Sequence, residues 1–507
     1  MTTTVSLTGN DLTLEQLEQV VWSHARVVLA PEARQRMEAS RAVVEHMLAS
    51  GNAAIYGINT GFGELATVRI SADQVRQLQL NLVRSHACGV GPPLSEAEVR
   101  AMMLLRANTL AKGYSGVRPV VVETLCAMLN AGVHPVVPAQ GSVGASGDLA
   151  PLAHLALVVI GEGEAFFGMG RMPGGEALRR ARIAPLVLEA KEGLALLNGT
   201  QAMLALLALA LREAEILADT ADVATALSLD ALRGSPAAFD ERIAAVRPHA
   251  GHAVTARNVT RLNRGSTIRE SHRSPERDPR VQDAYSLRCA PQVHGAVRDT
   301  LSAVRRTLLV ELNAATDNPL VFADSGEILS GGNFHGQALA MAADQLAVAL
   351  AVLAGISERR IEHMTNPATS LLPAFLTTRP GLNSGFMMPQ IVAAALAAET
   401  KALATPHSVD SIPTSGNQED YVSMGMGAAR RLRPMLENVA NVLAIELLCA
   451  CQGIDLLAPL TTGEQAARAH RLVRSVSTPL DEDRSLAADV AAVARLIREG
   501  QFAVLVR

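Results

Sequence analysis

A serine between an alanine and a glycine, in a loop rich in glycine, could form an electrophile from the chain itself. Residues 141–156 read GSVGASGDLAPLAHLA and contain Ala145-Ser146-Gly147. If the amide nitrogen of Gly147 reaches the carbonyl carbon of Ala145, the tripeptide can close into a small ring. Loss of water, including the Ser146 hydroxyl, then leaves an exocyclic methylene, which is strongly electrophilic. Glycine suits the attacking position because it has no Cβ to hinder close approach.

The same segment also has a purely structural interpretation, a loop that enters a helix. Ser146 or Asp148 could cap the helix, Pro151 suits its first turn, and residues 152–160 supply an apolar face. A helix N-terminus beside the ring would also stabilise negative charge on it. The residues alone therefore predict the loop and the helix, and they permit the ring.

Two other segments carry polar and aromatic side chains that could act on a substrate. Gln282, Tyr285 and Arg288 lie three residues apart, so one turn of helix would place them on the same face. The planar guanidinium of arginine binds carboxylates well. Tyr56 opens the glycine-rich loop YGINTGFG and is one of four tyrosines in the chain. Surface hydrogen bonds for the first group and a half-buried turn tyrosine for the second remain open as alternatives.

Five further candidates have ordinary structural explanations when only the residues themselves are considered. A histidine at a helix end, such as His86, is most often structural. Asn198 belongs to an Asn-Gly turn dipeptide, and Glu419 could be an acid that opposes a helix dipole. Phe334 and Met387 lie in glycine-rich loops, where core packing explains an apolar side chain almost equally well.

Composition and charge exclude two classes of partner. Of the 507 residues, 49% are apolar and 19% are charged, and the formal net charge is −4. This balance gives no reason to expect binding to nucleic acid or to an anionic membrane. The stretch at 261–280 holds six arginines and three acids but no aromatic residue, so we interpret it as a solvated, mobile loop.

The five cysteines predict reduced thiols in a cytoplasmic protein. Their number is odd, they are widely spaced, and we expect no signal peptide. Cys449 and Cys451 lie in an apolar helical run without a second pair of ligands, so we expect core packing there and no metal site. A pyridoxal enzyme would need a Schiff-base lysine. Lys112, Lys191 and Lys401 lie in ordinary helical or loop settings, so we expect no pyridoxal phosphate.

Apolar residues at helical spacing predict a mainly α protein. Capping-box residues, prolines and glycines mark the helix ends. The apolar run that begins at Gln337 is long enough to suggest a membrane span, but Asp344 interrupts it, and we predict an interior helix instead. The predicted helices cover residues 14–29, 31–49, 95–112, 119–131, 201–232, 294–314, 337–365, 389–404 and 427–457.

All sixteen positions of residues 141–156 resemble the signature of the aromatic amino acid ammonia-lyases. Enzymes of this family carry 4-methylidene-imidazole-5-one (MIO), formed autocatalytically from Ala-Ser-Gly. The resemblance implies that Ala145, Ser146 and Gly147 form MIO. It also implies a mainly α, fumarase/aspartase-like fold, in which a smaller MIO-bearing region at 1–200 precedes a bundle of long central helices at 201–507. Family members are homotetramers with active sites shared between subunits, and we expect the same here.

Further motifs, in family order along nearly the whole chain, resemble the active-site segments of the family. The resemblance implies that Tyr56 is the catalytic base and that Asn198 and Phe334 face MIO. It implies that Gln282 and Tyr285 orient the substrate and MIO, with Tyr285 among the catalytic residues. These roles rest on the resemblance alone.

The resemblance also assigns the residues that hold an amino acid substrate. Arg288 would clamp its carboxylate, and Met387 would lie near its side chain. Members that act on histidine carry Ser-His where this chain has His86 and the preceding serine, and Asn-Gln-Glu-Asp where it has residues 417–420. His86 and Glu419 would therefore bind an imidazole, and the implied reaction converts L-histidine to trans-urocanate and ammonia. Glu419 is the alternative base.

Three alternative functions remain open. Gly416 stands where alanine is usual in the family, and Tyr421 stands where histidine is usual. These departures leave room for a tyrosine or phenylalanine ammonia-lyase or an aminomutase. A pyridoxal enzyme is the alternative with another cofactor, and a helical scaffold without activity is the non-enzymatic alternative.

Overall fold

The structure is a computed structural model in which the chain divides into two compact units. Unit 1 comprises residues 1–209, 305–344 and 406–430, and unit 2 comprises residues 210–304, 345–405 and 431–507. Each unit combines several stretches of chain, and the expected division into 1–200 and 201–507 stays a prediction. The structure describes residues 3–50, 57, 58, 60, 70–274, 278 and 280–507.

Helices account for most of the described residues. In chain order the α-helices are α1 Leu14–Trp22, α2 Pro31–Ser50, α3 Val75–His86, α4 Glu96–Ala111, α5 Pro119–Ala131, α6 Leu149–Val159, α7 Gly174–Arg180, α8 Glu192–Leu197, α9 Gln201–Ala231, α10 Glu241–Ala245, α11 Ala250–Leu262, α12 Thr267–Ser271, α13 Tyr285–Arg288, α14 Ala290–Glu311, α15 Gln337–Thr365, α16 Pro367–Ser370, α17 Met387–Leu403, α18 Gly425–Arg430, α19 Leu432–Asp455, α20 Glu464–Arg474 and α21 Ala487–Arg498. Short 3₁₀ turns cover Ala72–Gln74, Pro236–Phe239, Ala374–Leu376, Ser415–Asn417 and Ala503–Leu505.

The strands are short and form small separate sheets. They are β1 Thr4–Leu7, β2 Arg26–Leu29, β3 Val90–Pro93, β4 His134–Pro135, β5 Pro138–Gln140, β6 Glu164–Phe167, β7 Gly170–Pro173, β8 Leu320–Phe322 and β9 Glu327–Leu329. β1 pairs with β2 in parallel, whereas β3–β5, β4–β6–β7 and β8–β9 are antiparallel. The chain is therefore mainly α, as predicted.

The best-predicted helices carry strong local signals at their ends. Thr13 and Gln16 form a reciprocal capping box at the start of α1. α5 begins at Pro119 and ends before Gly132, whose φ of 74° lies in the left-handed region. The predicted helix at 337–365 is α15, with the same ends.

The helix predicted over residues 14–29 is wrong beyond Trp22, because residues Arg26–Leu29 form β2. Asn130 on α5 supports this strand: its side chain accepts from the Val27 amide at 2.8 Å and donates to the Val27 carbonyl at 2.7 Å. Adjacent valines favour a strand. The partner strand β1 precedes α1, so the local apolar pattern carries no sign of the pairing.

A buried ion pair fixes the start of α13 within unit 2. Arg360 and Glu446 are fully buried, and Nε of Arg360 donates to Glu446 Oε1 at 2.5 Å. Ser228 and Ser357 donate to the same carboxylate at 2.8 and 2.5 Å. Arg360 also donates to the carbonyl of Ser286, inside α13, at 3.3 Å. Because the carboxylate accepts several hydrogen bonds and faces a guanidinium, burial of both charges is tolerated.

Two helical stretches, Gln337–Thr365 and Gly425–Asp455, are long and apolar enough to cross a membrane by length and composition. Of their most apolar windows, 67% and 78% are buried inside the protein. Asp344 interrupts the first, and its carboxylate accepts from the amides of His407 and Ser408 at 3.2 and 2.8 Å. We interpret both stretches as interior helices.

Candidate active site

The loop with Ala145-Ser146-Gly147 packs closely against the turn before α9. Gly147 has a φ of +72°, and a methyl group at this position would lie 2.1 Å from the carbonyl oxygen of Gly199. The next amide, that of Asp148, donates to the same carbonyl at 2.7 Å. Only glycine fits this approach without displacing the backbone. The same lack of a side chain is what ring closure requires of residue 147.

Asp148 anchors the loop to the N-terminus of α9. The side chain is fully buried; Oδ2 accepts from the Met203 amide at 2.8 Å, and Oδ1 accepts from the Ser142 hydroxyl at 2.9 Å. The first amides of a helix lack partners within it, so a carboxylate satisfies them. Asp148 is the N-cap residue of α6, as expected, but its side chain makes no capping hydrogen bond there and caps α9 instead. Ser146 does not cap α6, because its hydroxyl donates to Glu419.

Burial raises the pKa of Asp148 to about 6, although hydrogen bonds from Met203, Ser142 and Ala202 oppose the shift. The carboxyl group of an unfolded chain has its ordinary pKa of 3.8. The folded protein therefore binds this proton more tightly than the unfolded chain does. The stabilising contribution is fully present below about pH 4 and is lost as the pH rises through 6.

This pKa predicts a pH-dependent effect of Asp148→Asn. Between pH 4 and 7, we expect the stability of the variant relative to the unmodified protein to rise by up to about 3 kcal/mol. The reason is that the variant has no carboxylate to bury in ionised form. Thermal unfolding of both proteins across this range measures the effect, and shifts from other groups cancel in the comparison. A constant difference between the two melting temperatures would contradict the raised pKa.

Glu419 brings the loop at 414–419 to Ser146. The hydroxyl of Ser146 donates to Glu419 Oε1 at 3.2 Å. The other oxygen, Oε2, accepts from the hydroxyl of Thr414 at 2.7 Å. Both carboxylate oxygens are thus engaged, and the charge of Glu419 is held beside the predicted ring-forming serine.

A left-handed turn shapes the loop that carries Glu419. Gly416 has a φ of 63°, and its neighbours Ser415 and Asn417 have φ values of 48° and 70°. The ends of the turn meet where the Thr414 amide donates to the Glu419 carbonyl at 2.8 Å. Glycine adopts this conformation without the strain that alanine would meet, which gives the departure at residue 416 a local backbone reason.

His86 ends α3 and lies within the electrostatic reach of Glu419. Its Nδ1 donates to the carbonyl of Leu82 at 2.9 Å, which leaves Nε2 as the acceptor. Burial lowers the pKa of His86, whereas the hydrogen bond to Leu82 and the charge of Glu419 raise it by less. The imidazole is therefore mostly neutral at pH 7 and can accept a hydrogen bond.

Asn198 lies beside the same loop, one residue before Gly199. The side chain is buried, and its amide nitrogen donates to the carbonyl of Asn318 at 3.0 Å. Its Oδ1 has no hydrogen-bond partner within the described part of the chain. Buried polar atoms are almost always paired, so an orphaned amide oxygen fits a side chain that faces a bound group.

A second loop connects Phe334 to this region. Phe334 is half-buried, and the next residue, His335, donates from Nε2 to the carbonyl of Tyr421 at 3.1 Å. The His335 and Tyr421 rings are stacked with centroids 6.1 Å apart. The Met424 amide in turn donates to the carbonyl of Val143 at 2.9 Å. Tyr421 therefore has a structural partner, and the loop at 331–336 is linked to the predicted ring-forming segment.

Tyr56 lies outside the described residues, so its predicted role as base stays a prediction. Ile58 and Thr60, just after it, are buried. Ile58 packs in an apolar cluster with Val44 and Val75. This cluster anchors the chain two residues beyond Tyr56.

Four predicted substrate residues belong to unit 2. Arg288 donates from Nε to the carbonyl of Asp283 at 2.9 Å, and its guanidinium lies 4.4 Å from the ring centre of Tyr285. Gln282 precedes α13, so the prediction that all three share one helical face is wrong for Gln282. Met387 is half-buried at the start of α17. That these residues share a site with Ser146 stays a prediction.

The family profile described as aromatic amino acid lyase matches residues 12–475. The chain belongs to the aromatic amino acid lyase family. It is therefore an enzyme, a lyase, and the family resemblance carried by residues 141–156 is confirmed.

Relatives of this lyase cover its full length. It is 57% identical to a histidine ammonia-lyase from Koribacter versatilis, over 99% of each chain. The crystal structure of histidine ammonia-lyase from Trypanosoma cruzi is similar at 45% identity with a TM-score of 0.91, covering 99% of this chain and 95% of that one. A tyrosine aminomutase from Streptomyces globisporus is similar at 40% identity with a TM-score of 0.94, covering 99% and 98%. The predicted fold class is confirmed.

The sequence does not predict the burial of three charged side chains of this aromatic amino acid lyase. Lys191, at the loop position that begins α8, is fully buried and paired with the equally buried Asp317 at 2.7 Å. Arg106 donates to the Asn198 carbonyl at 2.9 Å, and burial lowers its pKa to about 10. The sequence feature that could have indicated a buried Arg106 is its position as the lone arginine in the apolar run MMLLRANTL. Arg106 supports the backbone of the turn that holds Asn198.

Proposed function

We propose that this lyase converts L-histidine to trans-urocanate and ammonia. The observation that carries the proposal is the position of Glu419, which accepts a hydrogen bond from Ser146 and whose charge raises the pKa of His86. One carboxylate thus links the predicted electrophile to the predicted imidazole site. The full-length relatives named histidine ammonia-lyase support the same substrate.

We propose that Ala145, Ser146 and Gly147 form MIO. The close approach of Gly147 to Gly199 and the orphaned oxygen of Asn198 support a fit between these residues and the group. When formed, MIO supplies an electrophile that makes the substrate amine a better leaving group. Asn198 is the residue that faces it from the turn before α9, and Phe334 is proposed to pack against it.

The substrate is proposed to be held at both ends. Neutral His86 offers Nε2 as an acceptor to one N–H of the substrate ring, and the Glu419 carboxylate can accept from the other when the substrate ring is an imidazolium. Arg288 binds the substrate carboxylate through its guanidinium. Gln282 and Tyr285 orient the substrate, and the Met387 side chain lies near its ring.

Removal of the β-proton is the hard step, because that proton is barely acidic. A base held in position lowers the barrier substantially. Tyr56 is proposed to take the proton, with Glu419 as the alternative base. In either case the atom that accepts the proton is an oxygen of the protein.

We also propose a cytoplasmic homotetramer with shared active sites, and no nucleic-acid or membrane partner. The exposed side chains of Met388, Ile391 and Val392 on α17 support association between copies. Their spacing of three and four residues makes an apolar stripe on one helix face. A stripe of this kind on the protein surface suits contact with another chain.

The function is tested by initial rates with L-histidine, L-tyrosine and L-phenylalanine as separate substrates. We expect urocanate from L-histidine alone. We expect His86→Leu to lower kcat/KM for L-histidine by about 10- to 100-fold, because one hydrogen bond to the imidazole is lost. The matched control is His46→Leu, which replaces an exposed histidine on α2 and should leave the rate unchanged.

Other outcomes would change the assignment in different ways. Coumarate or cinnamate as the main product would contradict the substrate and retain the lyase chemistry. A β-amino acid product would indicate an aminomutase, which the similarity to the Streptomyces globisporus enzyme makes the second candidate.

A further inference from the structure

Unit 2 contains a cavity that shares no residue with the candidate active site. Its volume is about 940 Å³. The 3₁₀ turn Pro236–Phe239, α10, α11 and Val506 near the end of the chain contribute to its walls. This volume lies within the range of small-molecule sites, which is roughly 300–1,000 Å³. The cavity is therefore large enough for a metabolite.

Three of the arginines that line the cavity lie on one face of α11 and the turn that follows it. Arg257, Arg261 and Arg264 are spaced four and three residues apart. Arg261 is held in place by a hydrogen bond to the carbonyl of Leu505 at 3.0 Å. Arg257 and Arg264 have neither an ion pair nor a side-chain hydrogen bond with any residue that the structure describes. Two guanidinium groups are thus available to a ligand.

The charges around the cavity do not cancel. Arg242 also lines it, and Asp240 and Glu241 are the acids among the lining residues. Asp240 is paired with Arg242 at 2.7 Å, so neither is left to neutralise the α11 arginines. Glu241 can offset one positive charge. The lining keeps a net positive charge that selects for anions.

The wall behind these arginines is held rigidly. Asn258, next to Arg257, is buried and donates to Asp222 Oδ2 at 2.8 Å. Asp222 in turn accepts from His294 at 2.8 Å and from Arg298 at 2.6 Å. A side chain supported in this way keeps α11 in a fixed position, which preorganises the arginines for binding.

We propose that this cavity binds a small oxyanion with more than one negative charge, such as a phosphorylated or polycarboxylate metabolite. Guanidinium groups form paired hydrogen bonds with phosphate and carboxylate oxygens. Arg257 and Arg264 supply these bonds, and Arg261 adds charge from a fixed position between them. The inference goes beyond the proposed lyase reaction and does not depend on it.

The test is calorimetric titration of the full-length protein with citrate and, separately, with inorganic phosphate, at constant ionic strength set by sodium chloride. We expect saturable binding of at least one anion to each chain. In the double variant Arg257→Ala and Arg264→Ala, affinity should fall about tenfold or more, because two charge-assisted hydrogen-bonding groups are lost. Tighter binding of phosphate would indicate a phosphorylated ligand, and tighter binding of citrate a polycarboxylate.

The control double variant is Arg471→Ala and Arg495→Ala. It removes the same charge from exposed positions on α20 and α21, outside the cavity, and should bind as the unmodified protein does. Circular dichroism checks that both double variants are folded, and the two single variants at 257 and 264 should each show part of the loss. Absence of saturable binding for both anions, or equal loss in the two double variants, would overturn the proposal.

Discussion

Ser146→Ala should abolish the conversion of L-histidine to urocanate and leave the fold intact. Alanine has no hydroxyl to lose, so residues 145–147 cannot gain the methylene on which the proposed chemistry depends. Before the ring forms, the Ser146 hydroxyl makes one 3.2 Å hydrogen bond, to Glu419. Ring formation removes that hydroxyl in any case, so the variant loses at most about 0.5–1.5 kcal/mol of stability, the contribution of one hydrogen bond. Urocanate absorbance measures the rate, and circular dichroism measures the helical content. Intact mass should show the unmodified protein lighter than its sequence by two waters, one that carries the Ala145 carbonyl oxygen on ring closure and one that carries the Ser146 hydroxyl.

The matched control for this prediction is Ser142→Ala, a serine of the same loop that is also half-buried. Ser142 donates to Asp148 at 2.9 Å but takes no part in the proposed ring. The hydroxyl also accepts from the Gly144 amide at 3.2 Å, and loss of these neutral hydrogen bonds should lower turnover by about tenfold at most. Retained turnover in Ser146→Ala would contradict the MIO assignment. Equal loss in both variants would show that the loop as a whole, and not the Ser146 hydroxyl, carries the activity.

Helices could be predicted from the sequence where nearby residues mark their ends. Pro119 and Gly132 mark the two ends of α5, and Thr13 with Gln16 marks the start of α1. These signals act over three or four residues, which a sequence displays directly. β2 shows the opposite case, because the pairing of Arg26–Leu29 with β1 and the bonds from Asn130 come from distant parts of the chain.

The candidate site was predictable only as a set of separate residues. Residue types and the family resemblance select Ser146, His86 and Glu419, but no sequence spacing shows that Glu419 bonds to Ser146 across 273 positions. Asp148 illustrates the limit, since its position predicts a cap for the following helix. It does occupy the N-cap position of that helix, but its carboxylate caps α9, because folding places the Met203 amide beside it. A side chain leaves the role that its neighbouring residues predict when a donor from a distant part of the chain offers it a better hydrogen bond.

Glu419→Gln should lower kcat/KM for L-histidine by about 10- to 100-fold through the lost charge-assisted hydrogen bond to the imidazole, and by about 10²–10⁴-fold if Glu419 is the base. Glutamine has nearly the same shape, and its amide oxygen can occupy the position of Oε1 beside residue 146. The variant therefore removes charge while keeping the geometry. Rates with L-histidine measure the loss. We expect a small change in melting temperature, because the amide oxygen takes the place of Oε1 and the amide nitrogen can donate to the Thr414 hydroxyl, which rotates to accept.

A second readout separates an electrostatic role of Glu419 from a purely structural one. The charge of Glu419 raises the pKa of His86 against the larger opposing effect of burial. Its removal should lower that pKa further, which an NMR titration of the His86 imidazole can measure. Thr414→Val serves as the control, since it removes one hydrogen bond to Glu419 and keeps the charge. It should leave the pKa of His86 close to its original value.

If Glu419→Gln leaves both the pKa of His86 and the turnover unchanged, the role of Glu419 is limited to shaping the loop at 414–419. A lowered pKa together with the expected loss of rate would mean that one carboxylate acts on both sides of the site. Its charge acts on the imidazole of His86, and its Oε1 lies beside residue 146, 3.2 Å from the hydroxyl that leaves when the ring forms. Shape alone cannot produce that pair of results, because glutamine preserves the shape. The charge of Glu419 would then account for both the recognition of the imidazole and the chemistry at Ser146.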